Sequence, residues 1–218
     1  MYRYLFFDLD GTLTDSKEGI IRCARYAIDK MGTPQPDEAT LLKFIGPPLQ
    51  DSFMTHCGYT RAQAAQALAI YRQRYVPVGQ FENAPLEGAA GLLEHLHRRG
   101  YKLALASSKP EQMCIAICER FGFAPHLDVI TGSPPQGDTT KADVIRQTMA
   151  RLGLGEADKP SILMIGDRKF DVLGAAECGI ACLGVEFFGY AEEGELETAG
   201  AIGVVRTVED LEQFILSH

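Results

Sequence analysis

From residue 85 to the C-terminus the chain alternates short apolar runs with amphipathic stretches at helical spacing, and no other feature restricts the fold as strongly. The runs at 102–106, 127–131, 162–165, 180–185 and 201–205 read as buried strands. The stretches at 88–98, 111–121, 141–152, 169–178, 192–198 and 207–216 read as helices, and a Gly/Pro loop occupies 132–137. Tyr4 to Leu9 adds a further strand, apolar until it meets acid. Strands that alternate with helices pair in parallel and carry helices on both faces. The expectation is an α/β fold with a Rossmann-like parallel-sheet core.

The middle of the chain departs from that alternation. Ile20, Ile21, Ala24, Ala27, Ile28 and Met31 recur at helical spacing before Gly32. After the break at Thr33-Pro-Gln-Pro36, residues 37–78 hold three helical patterns and no strand signal. Thr60-x-x-Gln63 is a capping box that opens an Ala-rich helix. Residues 15–82 are therefore expected to form an inserted all-helical cap domain, with 1–14 and 83–218 as the α/β core.

Charge narrows the function. Lys and Arg number 21 against 29 Asp and Glu, a formal net charge of −8. No basic run is present to neutralise a nucleic-acid backbone, and the acidic balance disfavours an anionic membrane surface. No window approaches the roughly 18 apolar residues of a membrane span. Met1 to Phe7 lacks the apolar core of a signal peptide, so a cytoplasmic protein is expected. Nothing suggests an obligate interface, which leaves a monomer or a weak homodimer. The six cysteines form no C-x-x-C pair and read as reduced thiols.

In parallel sheets, ligand-handling residues lie beyond the carboxyl ends of the strands. That rule collects Asp8, with Asp10, Gly11 and Thr12 behind it; Ser107 and Ser108; Lys141; and Gly166 and Asp167, with Asp171 one helical turn on. Two unit charges 4 Å apart repel by about 4 kcal/mol at an effective dielectric near 20. Clustered carboxylates therefore call for a hard divalent cation, and oxygen-only ligands suit Mg2+, with Asp8 and Asp167 as direct ligands. A carboxylate that attacks phosphorus divides hydrolysis into two easier steps through an acyl phosphate. Asp10 is placed to act first as acid and then as base. Lys141, the Ser107 hydroxyl and backbone N–H groups near Gly11 are candidate phosphate ligands, with Ser108 beside them. Plainer readings exist: a solvated turn at Asp8 and Asp10, a helix cap at Ser107 and Ser108, a surface position for Lys141, and first-turn helix acids at Asp167 and Asp171.

Phe7-Asp-Leu-Asp-Gly-Thr-Leu13, Ser107, Lys141 and Gly166-Asp167-x-x-x-Asp171, in that order, resemble the four motifs of the haloacid-dehalogenase superfamily over essentially the whole chain. The resemblance implies a nucleophile at Asp8 and an acid/base at Asp10. It implies Mg2+ held by Asp8, the Asp10 carbonyl and Asp167, with Asp171 supporting the metal shell. The helical insertion resembles the subclass with a helical cap, and Phe44-Ile-Gly-Pro-Pro-Leu49 and Gly189-Tyr190 resemble phosphoglycolate-phosphatase-like enzymes. Ser107-Ser-Lys109 stands where Thr-Asn-Lys is commoner, and Lys141 lacks the usual Lys-Pro-x-Pro surroundings.

The implied activity is that of a Mg2+-dependent phosphatase acting on a small phosphate monoester through an aspartyl phosphate. Phosphoglycolate is expected first, and nucleoside monophosphates, as for a 5'-nucleotidase, second. A phosphosugar mutase of the same fold is an alternative. So is a non-catalytic phospho-acceptor module, against which the insertion at 15–82 counts. Lys43, Gly46 and Arg168, together with Arg22 and Arg25, are candidate substrate contacts; the plainer reading gives each a turn or a solvated surface.

Overall fold

A computed structural model describes residues 1–134 and 139–218; positions 135–137 of the Gly/Pro loop lie outside the described residues. In chain order the first elements are β1 (Tyr4–Phe7), β2 (Thr14–Asp15), α1 (Lys17–Met31), α2 (Glu38–Leu42), α3 (Leu49–Cys57), α4 (Arg61–Tyr75), β3 (Ala84–Pro85) and α5 (Ala89–Arg98). There follow β4 (Lys102–Pro110), α6 (Glu111–Arg120), β5 (Val129–Ser133), α7 (Lys141–Arg151), β6 (Ile162–Gly166), α8 (Lys169–Cys178), β7 (Ala181–Val185), α9 (Glu195–Ala199), β8 (Val204–Val205) and α10 (Val208–Ser217). The chain divides into two compact units, Met1–Thr14 with Pro85–His218, and Asp15–Ala84.

The first unit is built on a six-stranded sheet in the order β5-β4-β1-β6-β7-β8, every pair parallel. Its strands read as unbroken apolar runs because both faces are covered. Leu5, Phe7, Leu103, Leu105, Leu163 and Ile165 pack with Leu93 and Leu96 of α5, Ile117 of α6 and Ile215 of α10. Phe6, Ala104, Ala106, Ile162 and Met164 pack with Ile145 of α7 and Val172 and Ala175 of α8. Phe7 pairs with Leu105 on one side and Ile165 on the other, so the strand ends that follow lie level. β4 outruns the apolar stretch that predicted it, because a register irregularity after Ala106 lets the chain stay extended to Pro110, opposite Ser133. Among the described residues no helix is long and apolar enough to cross a membrane.

The second unit is helical. Gly19 brings α1 against the turn at 79–81: a Cβ there would lie 2.0 Å from the Gly79 carbonyl oxygen. The capping box of α4 forms, with Gln63 N–H donating to Thr60 Oγ1 at 3.3 Å and Thr60 N–H to Gln63 Oε1 at 2.9 Å. Phe44 and Ile45 are buried, and Phe44 meets Phe53 edge-on at 5.2 Å. Lys43 and Gly46 flank them on the surface, and Gly46 takes φ +103°, a left-handed angle that favours glycine. The Gly46-Pro-Pro turn is thus anchored by two apolar side chains.

Glu82 ties this unit's ends together. Its carboxylate accepts from Arg74 at 2.6 and 2.9 Å and from Arg22 at 2.9 Å. The Arg74 bonds, which outweigh burial and are joined by Arg22, lower its carboxyl from the ordinary 4.5 to about 2. A carboxyl with a lowered value in the folded chain contributes stability that is full above about 4.5 and is lost as pH falls toward about 2. Glu82→Gln is expected to lower the melting temperature at pH 7, with the gap to the parent closing over that acid range. A gap that stays constant down to the lower limit would show that the ion pairs are not its source.

Candidate active site

Asp8 follows β1, and its N–H donates to the Ile165 carbonyl of β6 at 2.9 Å. Lys141 opens α7 behind the Thr140–Asp143 capping box. Its Nζ lies 2.9 Å from Asp8 Oδ1 and 2.6 Å from Asp171 Oδ1, with 4% of its side chain exposed. Burial and the helix N-terminus both disfavour an ammonium ion at this place. Burial is the largest influence, yet the Asp171 and Asp8 carboxylates together override it and hold Lys141 above its ordinary range. Gly174 makes the approach possible, since a Cβ there would stand 2.9 Å from Lys141 Cβ.

Asp171 sits in the first turn of α8, where Oδ2 accepts the Arg168 N–H at 3.1 Å. Burial, with the Asp8 charge, pushes its carboxyl up to about 6 against the pull of Lys141. Asp167, directly after β6, is held well above the usual carboxylate range by burial first and then by the charges of Asp171 and Asp8. Thr12 Oγ1 donates to Asp167 Oδ1 at 3.4 Å, while Oδ2 is buried without a hydrogen-bond partner among the described residues. Gly11 leaves room for that oxygen: its φ is +81°, and a Cβ would lie 2.0 Å from Asp167 Oδ2. The Gly11 N–H, expected to meet phosphate, instead donates to the Thr14 carbonyl at 2.8 Å and closes the turn after Asp10. Gly11 therefore serves the site through its missing side chain.

Asp10 turns to a different cation. Its Oδ2 lies 2.7 Å from Lys109 Nζ, with the two side chains 15% and 6% exposed. From the sequence alone, Lys109 carries no role at the site. The signal for Lys109 is strand alternation: it lies two residues beyond Ser107, on the same face once β4 continues to Pro110. Ser107 is buried and its Oγ accepts the Lys109 N–H at 3.3 Å. Ser108, between them, is exposed, so the pair of hydroxyls expected here is reduced to one buried group. Arg168, expected to reach substrate, is engaged by Glu195, with Nε 2.8 Å from Oε1 and Nη2 3.4 Å from Oε2. That pair ties the start of α8 to α9. The Lys43 and Gly46 positions belong to the helical unit. All six cysteines are free thiols.

Carboxylate oxygens of Asp8, Asp167 and Asp171 lie within 4.8 Å of one another. Like charges at such distances repel by about 3–4 kcal/mol at an effective dielectric near 20, and one ammonium ion cannot balance three of them. The donors are all oxygen, and one of them, Asp167 Oδ2, has no hydrogen-bond partner among the described residues. Such a set fits a hard divalent cation, Mg2+ first. The Asp10 carboxylate stands outside the group.

The oxygen-rich cluster lies at the carboxyl edge of the parallel sheet, where α/β proteins of this kind handle their ligands. The model of the haloacid dehalogenase-like hydrolase family matches residues 5–185, and the chain belongs to that family. A 5'-nucleotidase from Pseudomonas aeruginosa is 40% identical over all of this chain and 97% of its own. The tyrosine-protein kinase PtkA of Mycobacterium tuberculosis is 36% identical over 81% of this chain and 59% of its own. A phosphoglycolate phosphatase from Vibrio parahaemolyticus is 26% identical over 85% of this chain and 84% of its own. The crystal structure of a predicted phosphatase from Clostridium acetobutylicum superposes with a TM-score of 0.93 at 39% identity, covering the whole of both chains. The chain is a phosphoric monoester hydrolase.

Crowded carboxyls with raised values contribute stability that is full below their unfolded range, near 3.8, and is lost as pH rises through about 6, where Asp171 ionises. Asp167→Asn removes one of the repelling charges. In metal-free protein the variant is expected to melt above the parent at pH 8 and to converge with it near pH 4. Saturating Mg2+ should raise the parent's melting temperature and leave the variant's almost unmoved. Identical melting of the two proteins at pH 8, with and without Mg2+, would overturn the charge-crowding argument.

Proposed function

We propose that the chain is a Mg2+-dependent phosphatase that hydrolyses small phosphate monoesters through an aspartyl phosphate on Asp8. The observation that carries this reading is the Asp8 carboxylate, which belongs to the three-acid group yet lies 2.9 Å from a buried lysine. Asp8, Asp167 and the Asp10 carbonyl would hold Mg2+, with Asp171 bracing the site through Lys141. The ion would supply neutralisation of charge on the phosphate and its attacker.

Asp8 attacks phosphorus, and the bond from phosphorus to the leaving oxygen breaks. Asp10 gives that oxygen its proton. Water then attacks the acyl phosphate, Asp10 takes up the water's proton, and phosphate departs as the Asp8 carboxylate is restored. Lys141 and the Ser107 hydroxyl stabilise charge on the transferring group. The helical unit, Asp15–Ala84, is the part of the chain that would serve as the cap. The setting is cytoplasmic.

For the substrate, nucleoside 5'-monophosphates stand ahead of phosphoglycolate. The 5'-nucleotidase relative is 40% identical over the full chain, whereas the phosphoglycolate phosphatase relative is 26% identical. That ordering reverses the one expected from the sequence. The test is phosphate release from nucleoside monophosphates, phosphoglycolate and sugar phosphates, with Mg2+ and with a chelator. Asp8→Asn is expected to fall to background, and Asp10→Asn to lose about 10²–10⁴-fold. Turnover of an aryl phosphate by Asp8→Asn rejects the covalent route, and release indifferent to chelation rejects the metal.

A further inference from the structure

The acid/base assigned to Asp10 needs more than a carboxyl in the right region. A proton donor acts within about 2.6–3.2 Å of the atom it serves, and misplacement by about 1 Å costs on the order of 10²-fold in rate. The two oxygens of Asp10 are not equivalent. Oδ2 lies 2.7 Å from Lys109 Nζ, and Oδ1 is buried with no hydrogen-bond partner among the described residues. A carboxyl held at one oxygen by a buried cation presents the other in a fixed direction.

Lys109 is itself held by its surroundings. Its N–H donates to Ser107 Oγ at 3.3 Å, and its carbonyl accepts from Cys114 Sγ at 3.5 Å. Gly132 of β5 lies against the same backbone, where a Cβ would stand 2.6 Å from the Lys109 carbonyl oxygen and 2.4 Å from Glu111 Cα. The Glu111 carboxylate accepts the Gly132 N–H at 3.2 Å and pairs with Arg151 at 2.7 Å, which ties the start of α6 to β5. The extension of β4 past Ala106 therefore ends in a lysine whose main chain is gripped from two elements and whose ammonium reaches Asp10.

We propose that Lys109 is a positioning residue that clamps Asp10 through Oδ2 and leaves Oδ1 as the oxygen that exchanges the proton with the leaving group. The inference rests on the role given to Asp10 above. As the bond from phosphorus to the leaving oxygen breaks, the proton passes from Oδ1 to that oxygen, and Lys109 keeps its own protons throughout. Removal of the clamp leaves Asp10 present but misdirected. The damage then depends on how much the leaving group needs a proton.

The test is a series of phosphate monoesters whose leaving groups run from p-nitrophenol to a simple alcohol, read as kcat/KM in parent, Lys109→Met and Lys109→Arg proteins with Mg2+ present. For Lys109→Met the loss is expected to be slight with p-nitrophenyl phosphate and about 10²-fold with the alkyl ester. Lys109→Arg, which keeps the cation, should recover part of the alkyl activity. In an Asp10→Asn background, Lys109→Met should not steepen the dependence on the leaving group further. A uniform loss across the series overturns the clamp, because that pattern belongs to a lysine that binds the phosphoryl group or supports the fold. An unchanged series overturns it as well. Lys109→Gln provides the same comparison should the Met variant fail to fold. A series that Asp10→Asn itself does not steepen sinks the acid role of Asp10; one that responds to Asp10→Asn but not to Lys109→Met sinks only the clamp.

Discussion

Three carboxylates are pressed around a single buried ammonium ion, and the rest of the molecule is arranged to hold them there. Lys141 touches Asp8 and Asp171, while Asp167, whose oxygen comes within 4.8 Å of theirs, is met by the Thr12 hydroxyl. Left to itself such a group would move apart or take up protons, and the raised carboxyls of Asp167 and Asp171 register that tendency. The arrangement persists because each member sits at the end of an element whose position is fixed by burial elsewhere. Sites that break a local rule of stability in this way are where function is most often found.

The fixing element is the sheet. β1, β4 and β6 are level at Phe7, Leu105 and Ile165, all fully buried, and a slip of one strand would exchange the side chains fitted to the two helical layers. Two glycines then set the spacing at the edge. Gly11 admits the Asp167 carboxylate, and Gly174 admits Lys141. The cost of the charge cluster is thus borne by the packing of the two core layers rather than by any bond inside the site.

How much of this was legible in the chain follows from the range of the forces involved. The strands and helices declared themselves because burial on two faces leaves unbroken apolar runs, and the acids declared themselves because they end those runs. Lys109 did not, because β4 stays extended beyond its apolar stretch only through the irregular pairing with β5, and the sequence carries no mark of that pairing. Arg168 looked available for an anion until Glu195, twenty-seven residues on, was brought beside it. Gly11 was assigned a donor role by its place in the loop, whereas the Thr14 carbonyl takes its N–H. In each case the sequence named the residue type correctly, and a contact distant in the chain or a backbone turn decided its partner.

Two aspartates two residues apart on one turn are expected to behave alike, and the proposed chemistry requires that they do not. The fold separates them by giving each its own lysine from a different part of the sheet. Lys141, arriving on α7, holds Asp8 within the three-acid group. Lys109, at the end of β4, holds Asp10 apart from that group, with one oxygen engaged and the other buried without a hydrogen-bond partner among the described residues. A nucleophile needs a crowded, cation-rich surrounding in which charge on phosphate is neutralised. An acid/base needs a fixed direction and freedom from the metal. The same two-residue spacing would serve both proposed roles because the start of α7 and the end of β4, rather than the loop that carries the two aspartates, decide which cation each one meets.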